Sequence, residues 1–139
     1  MPYSTITGIG HYLPKNVVTN EALTKVMQTS DAWIRERTGI EERRYIDKGK
    51  ETTTTLALAA SEKAIADAGI DKEDIDLIIF ATLSPDYYFP GAGVLLQREL
   101  GIANTEIAAL DIRAQCSGFV YGLTTADAYI KSGMYKKIL

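Results

Sequence analysis

The chain has 139 residues, the usual length of one domain and enough to bury a hydrophobic core without disulfides or a structural metal. Its formal net charge is −3, and the absence of a basic tract argues against a nucleic-acid-binding or polybasic membrane-binding protein. A single cysteine excludes an internal disulfide framework and a multi-cysteine zinc site, and it suits a reducing, cytoplasmic setting. Because no stretch approaches the roughly 18 apolar residues of a membrane helix, and the first residues lack a secretory pattern, we expect neither kind of segment.

The first forty residues predict a strand followed by two short helices. Residues 4–14 alternate between polar and apolar side chains and end in proline, which indicates a strand and a turn. Asn20 is the predicted cap of a helix over residues 21–28. Ser30 is the predicted cap of a second helix over residues 31–38, which the next glycine would end.

The rest of the chain alternates helices with apolar strands. Helices are predicted at residues 52–68, 91–100 and 119–132, and strands that are apolar on both faces at residues 77–83 and 107–112. The last four residues, "KKIL", begin a further apolar stretch that reads as another strand. This order predicts a parallel sheet covered by helices, in which ligands gather at the carboxyl ends of the strands.

Cys116 lies where that architecture places chemistry, after a strand and at the first turn of a helix. Unpaired N–H groups and a partial positive charge at a helix N-terminus favour the thiolate form. Ser117 and Gly118 are small enough to let a substrate approach, and Gly122, which costs the helix about 1 kcal/mol relative to alanine, suggests close packing. A buried structural thiol stays open as the alternative, because free cysteine is among the most buried residue types.

Trp33 and Arg37 are four residues apart on a predicted helix and therefore share one face. An indole ring beside a guanidinium can clamp a planar base and offer the cation to a phosphate. Arg35, Arg43 and Arg44 make the stretch mildly basic, which suits a small phosphorylated ligand or an acidic carrier surface but not a nucleic-acid duplex. The alternative is an aromatic core residue beside a solvated charge.

Two glycine-rich stretches and the only histidine give weaker signals. Residues 8–13, "GIGHYL", and 91–96, "GAGVLL", carry leucine where a dinucleotide fingerprint needs its third glycine, and the chain has no P-loop. His11 is either a turn residue before Pro14 or the partner of Cys116 in a thiol-hydrolase dyad, which usually needs a third, orienting group.

The ordered set of motifs resembles one enzyme family. The motifs are "GIGHYLP", "TSDAWIRERTGIEERR", "YYFPGAG" and "DIRAQCSGFVYGL". Together they are similar, over essentially all 139 residues, to the β-ketoacyl-acyl-carrier-protein synthase III family, which starts type II fatty acid synthesis. Related thiolase-fold enzymes, such as chalcone synthases, share the cysteine but do not typically carry the tryptophan–arginine stretch.

The resemblance implies an α/β, thiolase-like fold. Residues 1–139 would form its N-terminal βαβαβ half, with a mainly parallel sheet covered by helices, and the C-terminal half would be absent from this chain. The family's enolate donors, a histidine and an asparagine, belong to that second half, and His11 does not occupy the histidine position. We therefore expect the isolated chain to be incomplete as a catalyst, and to aggregate or to need an oligomer or its missing half.

The resemblance also implies an activity, partners and site residues. Cys116 would take an acyl group from acyl-coenzyme A, malonyl-acyl carrier protein would then condense with it, and the backbone N–H of Cys116 would be one oxyanion donor. Thr29, Trp33 and Arg37 would bind coenzyme A, and Phe89 would reach across a homodimer toward the partner's acyl pocket. We expect a cytoplasmic enzyme with no metal and no cofactor beyond the coenzyme A thioester substrate, and with no nucleic acid or membrane partner.

Arg113 and Gln115 depart from the family, because many members have small apolar residues at these two positions. A reshaped acyl pocket and a specialised subgroup with a product other than a straight-chain fatty acid both stay open, as does the acyl chain preferred. Two other kinds of function also stay open: a thiol hydrolase using Cys116 and His11, and a catalytically silent binding or assembly fragment.

Overall fold

A computed structural model of the chain describes residues 3–103 and 106–139, which divide into two compact units. We call Leu13–Thr52 the insert unit and the combination of Met1–Tyr12 with Thr53–Leu139 the sheet unit. Each unit carries part of the predicted site, and each is described separately.

The insert unit contains two short strands and two short helices: β1 (Asn16–Thr19), α1 (Asn20–Thr24), α2 (Asp31–Thr38) and β2 (Glu42–Tyr45). The strands pair antiparallel, from Asn16 opposite Tyr45 to Thr19 opposite Glu42, and neither was predicted. Both are four residues long and largely exposed, so they lack the apolar pattern that marks a strand in a sequence.

Of the two helix caps predicted in the insert unit, that of α2 is confirmed and that of α1 is wrong. The prediction for α2 is confirmed: the Ser30 hydroxyl accepts a hydrogen bond from the Trp33 N–H at 3.1 Å, and Gly39 ends the helix at φ 69°. The prediction for α1 was wrong in its cap and its length. Thr19 caps this helix of five residues by accepting from the Ala22 N–H at 3.2 Å, because the Asn20 side chain is buried and makes other contacts.

The sheet unit contains the predicted parallel strands. Its elements are α3 (Thr53–Ala68), a 3₁₀ turn (Lys72–Asp74), β3 (Leu77–Ala81), α4 (Ala92–Glu99), β4 (Ala108–Ile112) and α5 (Gly118–Ser132). Strands β3 and β4 pair in parallel, and Ile138 forms a parallel bridge to Leu77 on β3. The Leu139 N–H donates to the Leu77 carbonyl at 2.9 Å, so the expectation that "KKIL" begins another strand is confirmed.

Alternate residues of β3 face different helices. Ile78 and Phe80 belong to the core, which also includes Ala92 and Leu96 of α4. Ile79 instead faces α5, since a Cβ added at Gly122 would lie 3.6 Å from its Cγ2 atom. Because side chains alternate along a strand, α4 and α5 cover opposite faces of the sheet. Strand β4 is only half-buried, where the sequence predicted a buried strand.

The predicted strand over residues 4–14 was wrong, because residues 3–14 form no helix or strand. The Ile9 N–H donates to the carboxylate of Asp67, on α3, at 2.9 Å, where a strand would donate to a neighbouring strand. Gly8 and Gly10 press directly on the α3 backbone: a Cβ at Gly10 would lie 2.0 Å from the Ala60 carbonyl oxygen. The first strand of the expected βαβαβ order is therefore replaced, in the described residues, by a segment without regular secondary structure that lies against α3.

Candidate active site

Cys116 lies in the turn between β4 and α5, two residues before the helix begins, and it is exposed. The Gly118 N–H closes this turn by donating to the Gln115 carbonyl at 2.9 Å. Ser117, the first residue outside α5, makes no side-chain capping hydrogen bond. The predicted position of Cys116 is confirmed, and the exposure of its side chain removes the alternative of a buried structural thiol in this structure.

The expectation that Gly122 packs closely against a neighbour was wrong for the described residues. A Cβ added there would meet Ile79 at 3.6 Å, which is an ordinary van der Waals distance. Glycine is therefore not required at this position by any neighbour that the structure describes.

Asp111, the first residue of the cysteine motif, fixes the start of α4. Its carboxylate accepts from the N–H groups of Ala92 at 2.6 Å and Gly93 at 2.7 Å. Gly91, at φ 119°, and Gly93 leave the space it needs, because an added Cβ would come within 2.6 Å or 2.8 Å of the carboxylate oxygens. The "PGAG" and "DIRAQC" stretches therefore form one joint, which ties the end of β4 to the helix N-terminus beside it.

Asp86 makes the same kind of joint at the start of α3. Its two carboxylate oxygens accept from the N–H groups of Thr53 at 2.8 Å and Thr54 at 2.9 Å. Asp86 belongs to the segment between β3 and α4 that also carries Phe89, whose side chain is 89% exposed. The segment is therefore tethered at Asp86, while Phe89 projects into solvent.

A pocket of about 270 Å³ lies at the carboxyl ends of β3 and β4. It is lined by Thr82, Pro85, Tyr87, Tyr88, Asp111, Ile112 and Arg113. The Arg113 guanidinium lies 4.8 Å from the centre of the Tyr88 ring, a cation–π distance. Arg113, which precedes Cys116 by three residues in the sequence, therefore forms part of the wall of this pocket.

Trp33 and Arg37 lie together on α2, as their spacing predicted. The Arg37 guanidinium carbon is 4.9 Å from the centre of the indole ring, and Trp33 is 53% exposed. This exposure removes the alternative of an aromatic core residue. Arg35 and Arg44 pair with carboxylates, whereas no described residue offers Arg37 a carboxylate, so its charge is available to a ligand.

Thr29, the third predicted coenzyme A residue, directly precedes the Ser30 cap of α2. Its hydroxyl oxygen is buried and has no hydrogen-bond partner among the described residues. A buried hydroxyl without a partner is uncommon in proteins, because desolvation of the group is not offset.

His11 and Cys116 are not joined by a hydrogen bond in the described part of the chain. The His11 backbone carbonyl accepts a hydrogen bond from the Lys63 ammonium at 2.9 Å. The hydrolase alternative therefore lacks the nucleophile–base contact that it requires.

Residues 3–103 and 106–139 contain neither a cluster of candidate metal ligands nor a helix able to span a membrane. Nowhere in these ranges do three histidine, cysteine, aspartate or glutamate side chains cluster as metal ligands would. None of the helices there has both the length and the apolar character needed to cross a bilayer.

Comparison with known proteins gives a consistent family. A sequence profile of the 3-oxoacyl-[acyl-carrier-protein] synthase III family matches residues 110–139, which include Cys116. The β-ketoacyl-[acyl-carrier-protein] synthase III 1 of Bacillus cereus is 50% identical over 134 residues, which are 96% of this chain and 42% of that protein. The corresponding enzyme of Ehrlichia canis is also 50% identical, over 100% of this chain and 43% of its own length.

The fold agrees with the sequence. The crystal structure of 3-oxoacyl-[acyl-carrier-protein] synthase III from Aquifex aeolicus superposes with a TM-score of 0.90 at 47% identity, covering 96% of this chain and 42% of that one. The predicted fold class, α/β and thiolase-like with parallel strands covered by helices, is confirmed. The chain spans about two fifths of the length of the relatives it matches. In sequence and in fold, the chain is similar to the N-terminal part of β-ketoacyl-acyl-carrier-protein synthase III.

Proposed function

We propose that this chain supplies the nucleophile of an acyltransferase that condenses an acyl-coenzyme A with malonyl-acyl carrier protein and so initiates fatty acid synthesis. The observation that carries the proposal is the exposed Cys116 in the turn before α5, within a sequence 50% identical to relatives named for this reaction. The second candidate, a Cys116–His11 hydrolase, has no such support, because no hydrogen bond joins the two residues in the described structure.

The first half-reaction is acyl transfer to Cys116. The thiolate attacks the thioester carbonyl carbon, the carbon–sulfur bond to coenzyme A breaks, and coenzyme A leaves as its thiol after taking up a proton. By the family resemblance, the backbone N–H of Cys116 is one donor to the oxyanion of the tetrahedral intermediate. The Gly118 N–H is already bonded to the Gln115 carbonyl, and the Ser117 side chain makes no capping bond at the start of α5.

The second half-reaction uses the acyl-enzyme. Malonyl-acyl carrier protein loses carbon dioxide, and its carbanion attacks the acyl carbon and releases the Cys116 thiolate. By the family resemblance, a histidine and an asparagine outside this chain stabilise the enolate. The resemblance also supports a cytoplasmic homodimer in which the exposed Phe89 reaches the partner's acyl pocket.

The insert unit provides the coenzyme A clamp in this proposal. The Trp33 ring offers a flat surface to adenine, and the uncompensated charge of Arg37 suits the 3′-phosphate. Thr29 contributes a hydroxyl group that no described residue satisfies.

Intact-mass spectrometry with acetyl-coenzyme A tests the nucleophile. We expect one acetyl adduct on the wild-type chain and none on Cys116→Ser, which removes the only cysteine. His11→Ala is the control and should still acylate. Turnover without an adduct that is lost in His11→Ala would support the hydrolase, and labelling of the serine variant elsewhere would refute the assignment of Cys116.

Substrates with and without the 3′-phosphate test the clamp. Arg37→Ala should weaken coenzyme A binding by about 1.5–3 kcal/mol, the usual contribution of a hydrogen bond to a charged group, and should change dephospho-coenzyme A binding much less. Arg98→Ala, on the exposed end of α4, is the control for loss of a positive charge. Equal losses for both ligands in the Arg37 variant would indicate a structural role.

A further inference from the structure

We propose that Asn20 is the positioning residue of the coenzyme A clamp, because its buried amide fixes α2, the helix that carries Trp33 and Arg37. The inference rests on the proposed function for the identity of the ligand. Asn20 is 1% exposed, which is unusual for a polar residue and calls for partners on every polar atom of its side chain.

All of those polar atoms are satisfied within the insert unit. The side-chain nitrogen donates to Asp31 Oδ1 at 2.8 Å and to the Ile40 carbonyl at 2.7 Å. The side-chain oxygen accepts from Arg43 Nη2 at 2.7 Å. The backbone N–H also bonds, to the Glu41 carbonyl at 3.2 Å. The Asn20 side chain, which belongs to α1, therefore links that helix to β2 and to both ends of α2.

These partners hold α2 at its two ends. Asp31 is the first residue of the helix, and Ile40 follows the glycine that ends it, so the Asn20 amide bridges the whole element. Trp33, which is 53% exposed, and Arg37, which is also exposed, lie between these two anchor points. Hydrogen bonds are directional. The two bonds from the Asn20 amide therefore fix the position and the rotation of α2 and also stabilise the helix.

The pKa of Asp31 also depends on the same amide. Hydrogen bonds from Asn20 first, and then from Arg35, hold the pKa of the Asp31 carboxyl below its ordinary value. Replacing the amide with a carboxylate would remove both donors and set two negative groups against each other. Asn20→Asp therefore replaces the donating amide with an accepting carboxylate while changing the shape of the side chain as little as possible.

Trp33 makes the test specific, because it is the only tryptophan of the chain. Its fluorescence reports on α2 alone, and quenching by added coenzyme A gives a dissociation constant. Asn16→Asp is the matched control, since it makes the same chemical change at an exposed asparagine of the same unit. Circular dichroism checks that each variant is folded.

We expect Asn20→Asp to weaken coenzyme A binding at least tenfold, the equivalent of about 1.4 kcal/mol, while Asn16→Asp binds as the wild type does. Acylation of Cys116 by an acyl-pantetheine, which has no nucleotide, should keep its rate in both variants. Adding Asp31→Asn to Asn20→Asp reverses donor and acceptor between the two positions and should restore part of the affinity.

Each other outcome has a distinct meaning. If Asn20→Asp binds coenzyme A as the wild type does, or if it slows acylation by acyl-pantetheine as much as by acyl-coenzyme A, Asn20 is not a positioning residue. Isothermal titration calorimetry, which needs no tryptophan, tests the clamp itself: if the wild-type chain shows no coenzyme A binding that Trp33→Ala abolishes, the proposed function of the clamp is wrong, and the positioning role falls with it.

Discussion

Replacing Asp111 with alanine should destabilise the sheet unit and slow acylation of Cys116. The carboxylate accepts two N–H groups of α4, at 2.6 and 2.7 Å, and losing it leaves both donors without their partner. A lost N-cap costs about 0.5–2 kcal/mol, and a lost anion at a helix N-terminus about 0.3–1 kcal/mol. Because Asp111 is partly solvated and water can replace part of this bonding, we expect a total of about 1–3 kcal/mol. Urea unfolding measures the loss directly.

Two variants separate the cap from a general effect of losing a carboxylate. Asp71→Ala removes an exposed carboxylate that makes no capping bond at the start of the 3₁₀ turn, and it should unfold within about 0.5 kcal/mol of the wild type. Asp111→Asn keeps one acceptor but presents an NH₂ group to the second donor, so it should fall between wild type and alanine. An Asp111→Ala chain as stable as the Asp71→Ala chain would refute the role assigned to this joint.

Two further outcomes follow from the glycines and from one ion pair. Gly10→Ala should lower the free energy of unfolding in urea by about 1–3 kcal/mol or more, because its Cβ would lie 2.0 Å from the Ala60 carbonyl oxygen. Gly122→Ala is the control and should be neutral or stabilising. Equal effects of the two substitutions would contradict the packing described. The Asp74 pKa is lowered chiefly by its hydrogen bond from Lys137, so the stability this pair contributes is present above the ordinary aspartate pKa and is lost as pH falls through the lowered value. Unfolding midpoints of wild type and Asp74→Asn should therefore differ at pH 7, begin to converge below about pH 4 and meet only below the lowered pKa, and a constant difference would exclude the pair as its source.

Elements that depend on local chemistry could be predicted from the sequence. The cap and stop of α2 lie within the helix's own ten residues, Ser30–Gly39, and β3 shows its burial in an unbroken apolar run. The place of Cys116, between a strand and a helix, followed from these patterns alone. The shared face of Trp33 and Arg37 followed from helical geometry.

Elements that depend on distant partners could not. An alternating segment such as residues 4–14 becomes a strand only if a neighbouring strand accepts its hydrogen bonds, and here α3 lies beside it instead. Asn20 looked like a helix cap because asparagine commonly is one, but its amide bonds to groups 11, 20 and 23 residues away. No local pattern marks such a side chain as a buried link between elements.

The joints made by Asp86 and Asp111 were missed for the same reason, and they give the cysteine motif a physical meaning. Each carboxylate caps a helix that another part of the chain forms, α3 in one case and α4 in the other, so two N–H groups at each of these N-termini are already bonded to a carboxylate. The start of α5 is different, because the Ser117 side chain makes no capping bond there. Asp111 thus fixes the end of β4 by one helix, and the chain then turns within five residues to present Cys116 at the start of the next. The spacing between Asp111 and Cys116 therefore sets the position at the start of α5 on which the proposal of Cys116 as the nucleophile rests.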